Sequence, residues 1–293
     1  MHKNPNPKVK SRVVDAPLPR IDSWLMKGFE RYFLPRYLGK HFHSVAVQTV
    51  DLNAEACTAD GAVVLYVNHA SWWDPLVGIY VHRRMWPKHR FYAPIDSVAL
   101  AQYRIFSRMG FFGIQPHSQR GAVEFLRRSR TILRQSESTL ALTPEGKFCD
   151  IRDRDSPLQP GLAHLATKIE AAASDATRRH VWFVPMAIEY TFWEERLPEC
   201  LVRFGSPIHA QWGQTTMDKS GWDHELTSRL RNAQQLLASA SIARDPAQFQ
   251  SLMRGNAGTW RLYDAARTWA ARLRGHRLSL EHSQERSRFT SKR

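Results

Sequence analysis

Short apolar runs rich in β-branched and aromatic residues recur along the chain. They lie at 45–50 (VAVQTV), 63–67 (VVLYV), 90–93 (RFYA), 111–114 (FFGI), 139–143 (TLALT), 181–188 (VWFVPMAI) and 200–204 (CLVRF). Each has the length of a strand. Between several of them, at 75–85, 96–108, 119–135 and 160–173, apolar positions return every three to four residues, the period of a helix. Strands that alternate with helices predict an α/β fold, a largely parallel mixed sheet flanked by helices. In such sheets the ligand crevice lies beyond the carboxyl ends of the strands. The residues just after each run are therefore the ones to inspect for chemistry.

The two ends show other patterns. Residues 1–20 are polar, basic and proline-containing, which predicts a flexible arm. From Ile21 a helical stripe begins: Trp24, Leu25, Phe29, Tyr32, Phe33 and Tyr37, with Lys27, Arg31 and Arg36 between them. Such a stripe either covers the core or lies in a membrane interface. After about residue 218 no further strand is expected. Trp222, Leu226, Leu230 and Leu237 mark a helix at 222–242. Trp260, Leu262, Tyr263, Trp269 and Leu273, set among arginines, mark another at 259–274. The expected organisation is an arm (1–20), an α/β domain with an N-terminal amphipathic helix (21–217), a C-terminal helical extension (218–275) and a basic tail (276–293).

Composition narrows the partners. With 43% hydrophobic residues, the chain of 293 residues can build a sizeable core and is not a disordered protein. Its 42 Lys and Arg against 27 Asp and Glu leave a formal charge of +15, so an anionic partner is expected. Cys57, Cys149 and Cys200 are too few and too scattered for a disulfide framework or a metal knuckle, and read as reduced thiols. The N-terminus has no apolar core of the signal-peptide kind. The longest apolar run, AVVLYV at 62–67, is far short of the roughly 20 residues that span a bilayer.

Directly after the second strand comes Asn68-His69-Ala70-Ser71-Trp72-Trp73-Asp74-Pro75. Asp followed by Pro is a helix start, with Asp74 expected as the N-cap and Pro75 at the first helical position. His69 then sits on the strand-to-helix loop, and the turn can fold Asp74 back to its ring. A carboxylate on one ring nitrogen fixes the tautomer and leaves the other free to take a proton from a hydroxyl. The spacing by itself fits equally a capping aspartate beside an ordinary loop histidine. Strand 139–143 ends in Thr143-Pro144-Glu145-Gly146-Lys147, which again places a carboxylate and a cation at a strand's carboxyl end, or else is a simple turn. Pro185, inside the run at 181–188, suggests a strand end or bulge near the same crevice.

These pieces, in this order, resemble the glycerolipid acyltransferases, the family of lysophosphatidate and glycerol-3-phosphate acyltransferases. The family's Asn-His-x-Ser-x-x-Asp block is matched by Asn68, His69, Ser71 and Asp74. Its Phe-Pro-Glu-Gly-Thr block is matched at Pro144, Glu145 and Gly146, and its Val-Pro-Val block by Val184, Pro185 and Met186. Gly161-Leu162-Ala163 and the FGSPI stretch at 204–208 extend the likeness, which covers about 45–210. The resemblance implies acyl transfer from a thioester, acyl-CoA or acyl carrier protein, to a lipid hydroxyl. It assigns His69 as general base oriented by Asp74, and needs no metal and no bound cofactor. Glu145, Gly146, Lys147 and Arg120 are expected at the acceptor, and Trp72, Trp73 and Pro185 along the acyl or acceptor path. The sequence departs from the family at two positions. Pro116 and Phe148 stand where arginines that grip the acceptor phosphate are usual, leaving Arg120, Lys147, Arg152 and Arg154 as substitutes. Neither Pro nor Phe can replace a bidentate arginine.

The resemblance and the charge together predict a peripheral protein on the cytoplasmic face of a membrane, meeting an anionic surface and a lipid acceptor. Alternatives stay open: the same chemistry on a glycolipid, carotenoid glycoside or amino-acid lipid, or an inactive membrane-associated relative. A nucleic-acid-binding role is not expected. The basic residues form no reading motif, and the aromatics lie in apolar stripes rather than on a stacking platform.

Overall fold

A computed structural model describes residues 16–52, 61–172 and 180–255. The elements run α1 (Ser23–Gly28), a π-helical turn (Phe29–Phe33), α2 (Leu34–His41), β1 (Ser44–Gln48), β2 (Gly61–Val67) and α3 (Asp74–Met85). They continue with β3 (Arg90–Asp96), α4 (Ser97–Gln102), a 3-10 turn (Arg104–Arg108), β4 (Phe111–Ile114), α5 (Gln119–Leu133) and β5 (Ser138–Leu142). Last come α6 (Gly161–Glu170), β6 (His180–Thr191), β7 (Glu199–Phe204), β8 (Ile208–Gln211), α7 (Lys219–Ala243) and β9 (Gln250–Arg254).

The strands form one sheet in the order β4-β3-β5-β2-β6-β7-β1-β9, with β8 pairing β6. The pairs β2–β5, β2–β6, β3–β5, β3–β4 and β1–β7 are parallel. The pairs β6–β7, β6–β8 and β1–β9 are antiparallel. This is the mixed, largely parallel α/β architecture that the strand–helix alternation predicts. β2 is buried over all seven residues, as a central parallel strand covered on both faces must be. Its alternation divides the core. Val63, Leu65 and Val67 face one layer with α2 and α3, while Ala62, Val64 and Tyr66 face the other with α6 and α7.

Pro185 marks neither a strand end nor a bulge. β6 continues through it, paired to β8 over His180–Phe183 and to β7 over Met186–Thr191. Pro185 falls where one outer partner gives way to the other, so its missing N–H leaves no ladder bond unmade. Its carbonyl accepts from Gly205 N–H at 3.0 Å.

Two further expectations are corrected. Strands do not stop near 218: β9 pairs antiparallel with β1. Its sequence, QSLMR, is short, polar and mostly open to solvent, so it carries no apolar run to announce it. The N-terminal stripe does not act as one face either. The π-turn adds a residue to one turn and so rotates α2 relative to α1. Met26, Leu34 and Leu38 enter the core and Leu25, Phe29 and Tyr37 lie against it. Trp24 is 88% exposed, and Tyr32 and Phe33 are also open. Most of the arm, Cys57, the helix at 259–274 and the tail fall outside the described residues.

α3 buries His82 completely, between Trp86 and Phe91, and neither ring nitrogen has a partner. Burial, reinforced by His89 and Arg83, holds its pKa down at about 3, against 6.5 for an ordinary imidazole. The unfolded chain therefore binds a proton that the folded chain refuses. Stability from this group is full above about pH 6.5 and falls as pH drops towards 3. His89 is lowered too, by burial first, and acts in the same direction. Urea midpoints measured from neutral pH downwards should fall less steeply in His82→Leu than in the wild type. Equal slopes would show that His82 is not an acid-labile point of the core.

Candidate active site

β2 and β5 are neighbours that end together at Tyr66 and Leu142, so the loops 68–74 and 143–149 emerge side by side at the carboxyl edge. β6, the other neighbour of β2, passes Met186 opposite Val67 and runs on to Thr191. Its last turns of backbone stand above the edge as a wall.

Asn68 clamps the first loop to that wall. Its side-chain amide donates to Ile188 O at 3.1 Å and accepts from Ile188 N–H at 2.7 Å, extending the sheet ladder by a side chain. The main chain of His69 is tied to the second loop. Its N–H donates to Glu145 Oε2 at 2.6 Å, and its carbonyl accepts from Cys149 N–H at 2.8 Å. The ring is thereby placed beside Asp74, with Nδ1 2.8 Å from Asp74 Oδ2.

Asp74 does not cap α3. It is the first helical residue, and Trp73 takes the cap position without a side-chain bond. The Asp74 carboxylate is used on the loop side instead. Oδ2 also accepts from Ser71 N–H at 2.9 Å, and Oδ1 accepts from the Tyr190 hydroxyl at 2.6 Å. A carboxylate only accepts, so Nδ1 of His69 carries the proton and Nε2 keeps its lone pair. The His69 side chain keeps 18% of its surface, whereas that of Asp74 is sealed.

Glu145 is 2% exposed, and both its oxygens are taken. Oε1 accepts from Arg231 of α7 at 2.8 Å, while Oε2 holds His69. Glu145 thus braces the main chain of His69 and ties it to α7. Gly146 serves the same turn. Its φ of +67° suits glycine, and an added Cβ would lie 3.0 Å from the Gln159 side chain. Arg231 also donates to Gln234 Oε1 at 2.8 Å and to the Ser156 carbonyl.

The aromatics divide by depth. Trp73 packs among Tyr37, His41 and Phe42, with centroids at 5.6, 5.0 and 5.1 Å. Trp72 stacks on Trp73 at 4.4 Å and stands open to solvent. Phe148, also exposed, lies 4.4 Å from the His69 ring. Pro185 is buried within the sheet against Gly205 and lines no open wall. Of the cations, Arg120 and Lys147 are exposed, Arg152 pairs with Asp150 at 2.8 Å, and Arg154 binds backbone carbonyls of Ile151 and Gln234. Among the described residues no cluster of His, Cys, Asp or Glu could hold a metal.

Sequence reasoning missed Tyr190 and Arg231. Alternation along β6 does put Tyr190 on the same face as Met186 and Ile188, but nothing local says how far β6 overruns β2. Arg231 adjoins the buried Leu230 on α7 just as Arg229 does, so nothing local marks it out.

Residues 49–189, just under half of the chain, match the family model described as Acyltransferase, that of the glycerolipid acyltransferases. The matched stretch includes the loops 68–74 and 143–149 and the wall of β6 up to Glu189. No curated protein matches the chain.

Removing one partner of a buried pair leaves an uncompensated charge and costs about 3–5 kcal/mol. Arg231→Met should therefore destabilise strongly in urea unfolding, and Arg231→Met with Glu145→Gln should recover much of the loss. A single variant costing under about 1 kcal/mol, the worth of a surface pair, would mean that Glu145 is not sealed in the folded protein.

Proposed function

We propose that this protein is an O-acyltransferase that moves a fatty acyl group from a thioester, acyl-CoA or acyl carrier protein, to a hydroxyl of a lysophospholipid-type lipid. The match of residues 49–189 to the acyltransferase family model supports acyl transfer in general. The observation that carries the assignment of roles is the 2.8 Å bond between His69 Nδ1 and Asp74 Oδ2, with Nε2 left free at the carboxyl edge. Nε2 takes the proton of the acceptor hydroxyl as its oxygen attacks the thioester carbonyl. Asp74 stabilises the imidazolium so formed. The tetrahedral intermediate, its oxyanion held by backbone N–H groups or a nearby cation, expels the thiolate, which takes the proton back from Nε2. The ester forms, the free thiol leaves, and no metal or bound cofactor enters.

A second reading concerns the acceptor. Phe148 sets a neutral aromatic ring 4.4 Å from that of His69, and Arg152, Arg154 and Arg231 are engaged elsewhere. These contacts favour an acceptor whose head is a glycolipid or other neutral group over a simple phosphomonoester, for which Lys147 and Arg120 are the cations left in solvent. His69→Ala should lose about 100- to 10,000-fold in acyl transfer while its circular dichroism stays unchanged. Lysophosphatidate and a neutral-headed lyso-glycolipid run side by side decide between the acceptors. A His69→Ala variant that keeps most of its activity would remove the base assignment.

For the location we propose peripheral attachment to the cytoplasmic face of an anionic membrane. No described helix is long and apolar enough to cross a bilayer. Residues 20–22 run beside 108–110, joined by Asp22–Arg108 and by the Gly110 N–H to Arg20 carbonyl bond. Around this junction Leu18, Trp24, Val98, Tyr103 and Ile105 are exposed. Arg20, Lys27, Arg31 and Arg104 supply cations on the same segments. Apolar insertion and attraction to anionic headgroups then act together. In flotation with phosphatidylglycerol vesicles, Trp24→Ser with Tyr103→Ser should bind several-fold more weakly than wild type, and high salt should weaken both. Unchanged flotation would place the membrane face elsewhere.

A further inference from the structure

Asp74 shares one negative charge among three donors, two from its own loop and one from β6. His69 and Ser71 meet Oδ2, and Tyr190 meets Oδ1 at 2.6 Å. Tyr190 is held for this contact. Its ring stacks on Phe42 with centroids 5.5 Å apart, and Phe42 packs edge-on against Trp73. The hydroxyl cannot swing away without disturbing that stack.

We infer that Tyr190 is a positioning residue that orients the Asp74 carboxylate towards His69 and moderates the basicity of the imidazole through it. The inference rests on the acyl-transfer reading for its catalytic meaning. A donor on Oδ1 withdraws charge that would otherwise serve the His69 Nδ1–H bond. Tyr190 thus sets how strongly Asp74 favours the imidazolium over the free base. A base held too strongly charged has no lone pair to offer at working pH.

The surroundings suit this role. Burial, with Cys200 and Asp74 adding to it, pushes the Tyr190 hydroxyl well above its ordinary range, so it stays a donor. Burial likewise pushes up the thiol of Cys200, opposite Tyr190 on β7, and keeps it neutral. The remaining charged groups face His69 from the 143–149 loop. Glu145 reaches it through the main-chain N–H and is balanced by Arg231, and Lys147 is exposed beside Phe148.

The test reads His69 directly. In protein carrying carbon-13 at histidine Cε1, the His69 resonance is identified by its loss in His69→Ala. Its titration midpoint should rise by about half to one pH unit in Tyr190→Phe, which keeps the ring and loses the hydroxyl. In an Asp74→Asn background the same substitution should leave the midpoint where it was, because the link between the two is gone. In the unsubstituted protein the Tyr190 Cζ resonance should move with the His69 midpoint, a reading that does not depend on any variant folding. The acid limb of kcat/KM should shift with the midpoint, while KM for the thioester stays unchanged. A His69 midpoint unmoved in folded Tyr190→Phe, or a Tyr190 Cζ blind to the His69 titration, would overturn the inference. A wild type inactive with every thioester and lipid pair would overturn the acyl-transfer reading instead, and the titrations would still judge Tyr190.

Discussion

The main chain of His69 is the point on which the carboxyl edge depends. A base can offer one ring nitrogen to a substrate only if the rest of the residue is held still. Here its N–H is fixed by Glu145, its carbonyl by Cys149, and its Nδ1 by Asp74. Those partners come from the loop after β5 and from the first turn of α3. Asn68, the residue before it, is pinned to β6. Loops are ordinarily the mobile parts of a fold. This one is stapled at successive residues to β6 and to the loop after β5.

Two carboxylates make that stapling, and both are buried. A buried charge is costly unless each of its oxygens finds donors. Asp74 has Ser71, His69 and Tyr190, and Glu145 has His69 and Arg231. The two sets meet at His69, so the electrostatic requirements of both carboxylates are met by the same geometry. Arg231 extends the connection to α7, whose Trp222, Leu226 and Leu230 lie in the core. The long helix is therefore part of the body that holds the histidine, although it lies outside the stretch that defines the family match.

Around this rigid centre the exposed groups are aromatic. Trp72 and Phe148 stand in solvent on the same two loops that hold the histidine, and the Phe148 ring is tilted against that of His69 at 4.4 Å. The excess of cations, +15 over the whole chain, is not concentrated there. It is spread on surfaces such as the N-terminal helices, where Trp24, Tyr32 and Phe33 are also open. Charge and exposed apolar area thus coincide on those helices, whereas the exposed groups at His69 are uncharged aromatics.

Much of the fold was legible because it rests on local properties. A seven-residue apolar strand, an Asp-Pro helix start and the alternation of runs and helical periods are set by neighbouring residues, and they place His69 on the loop after β2 and Asp74 at the helix start that follows it. The hidden part depends on distance and length. The partner of Asp74 Oδ1 is 116 residues away, and that of Glu145 Oε1 is 86 away. Tyr190 arrives only because pairing with β7 carries β6 beyond the end of β2. β9 forms only because the edge of β1 offers it a ladder. Even the role of Asp74 turned on this. Locally it is a helix cap; in the folded protein a histidine ring and a tyrosine hydroxyl compete for its oxygens and win. The sequence by itself determined the layers of the sheet and the loop on which His69 sits. Only tertiary structure decided which groups hold that loop, because buried carboxylates take their donors from whatever the packing brings within reach.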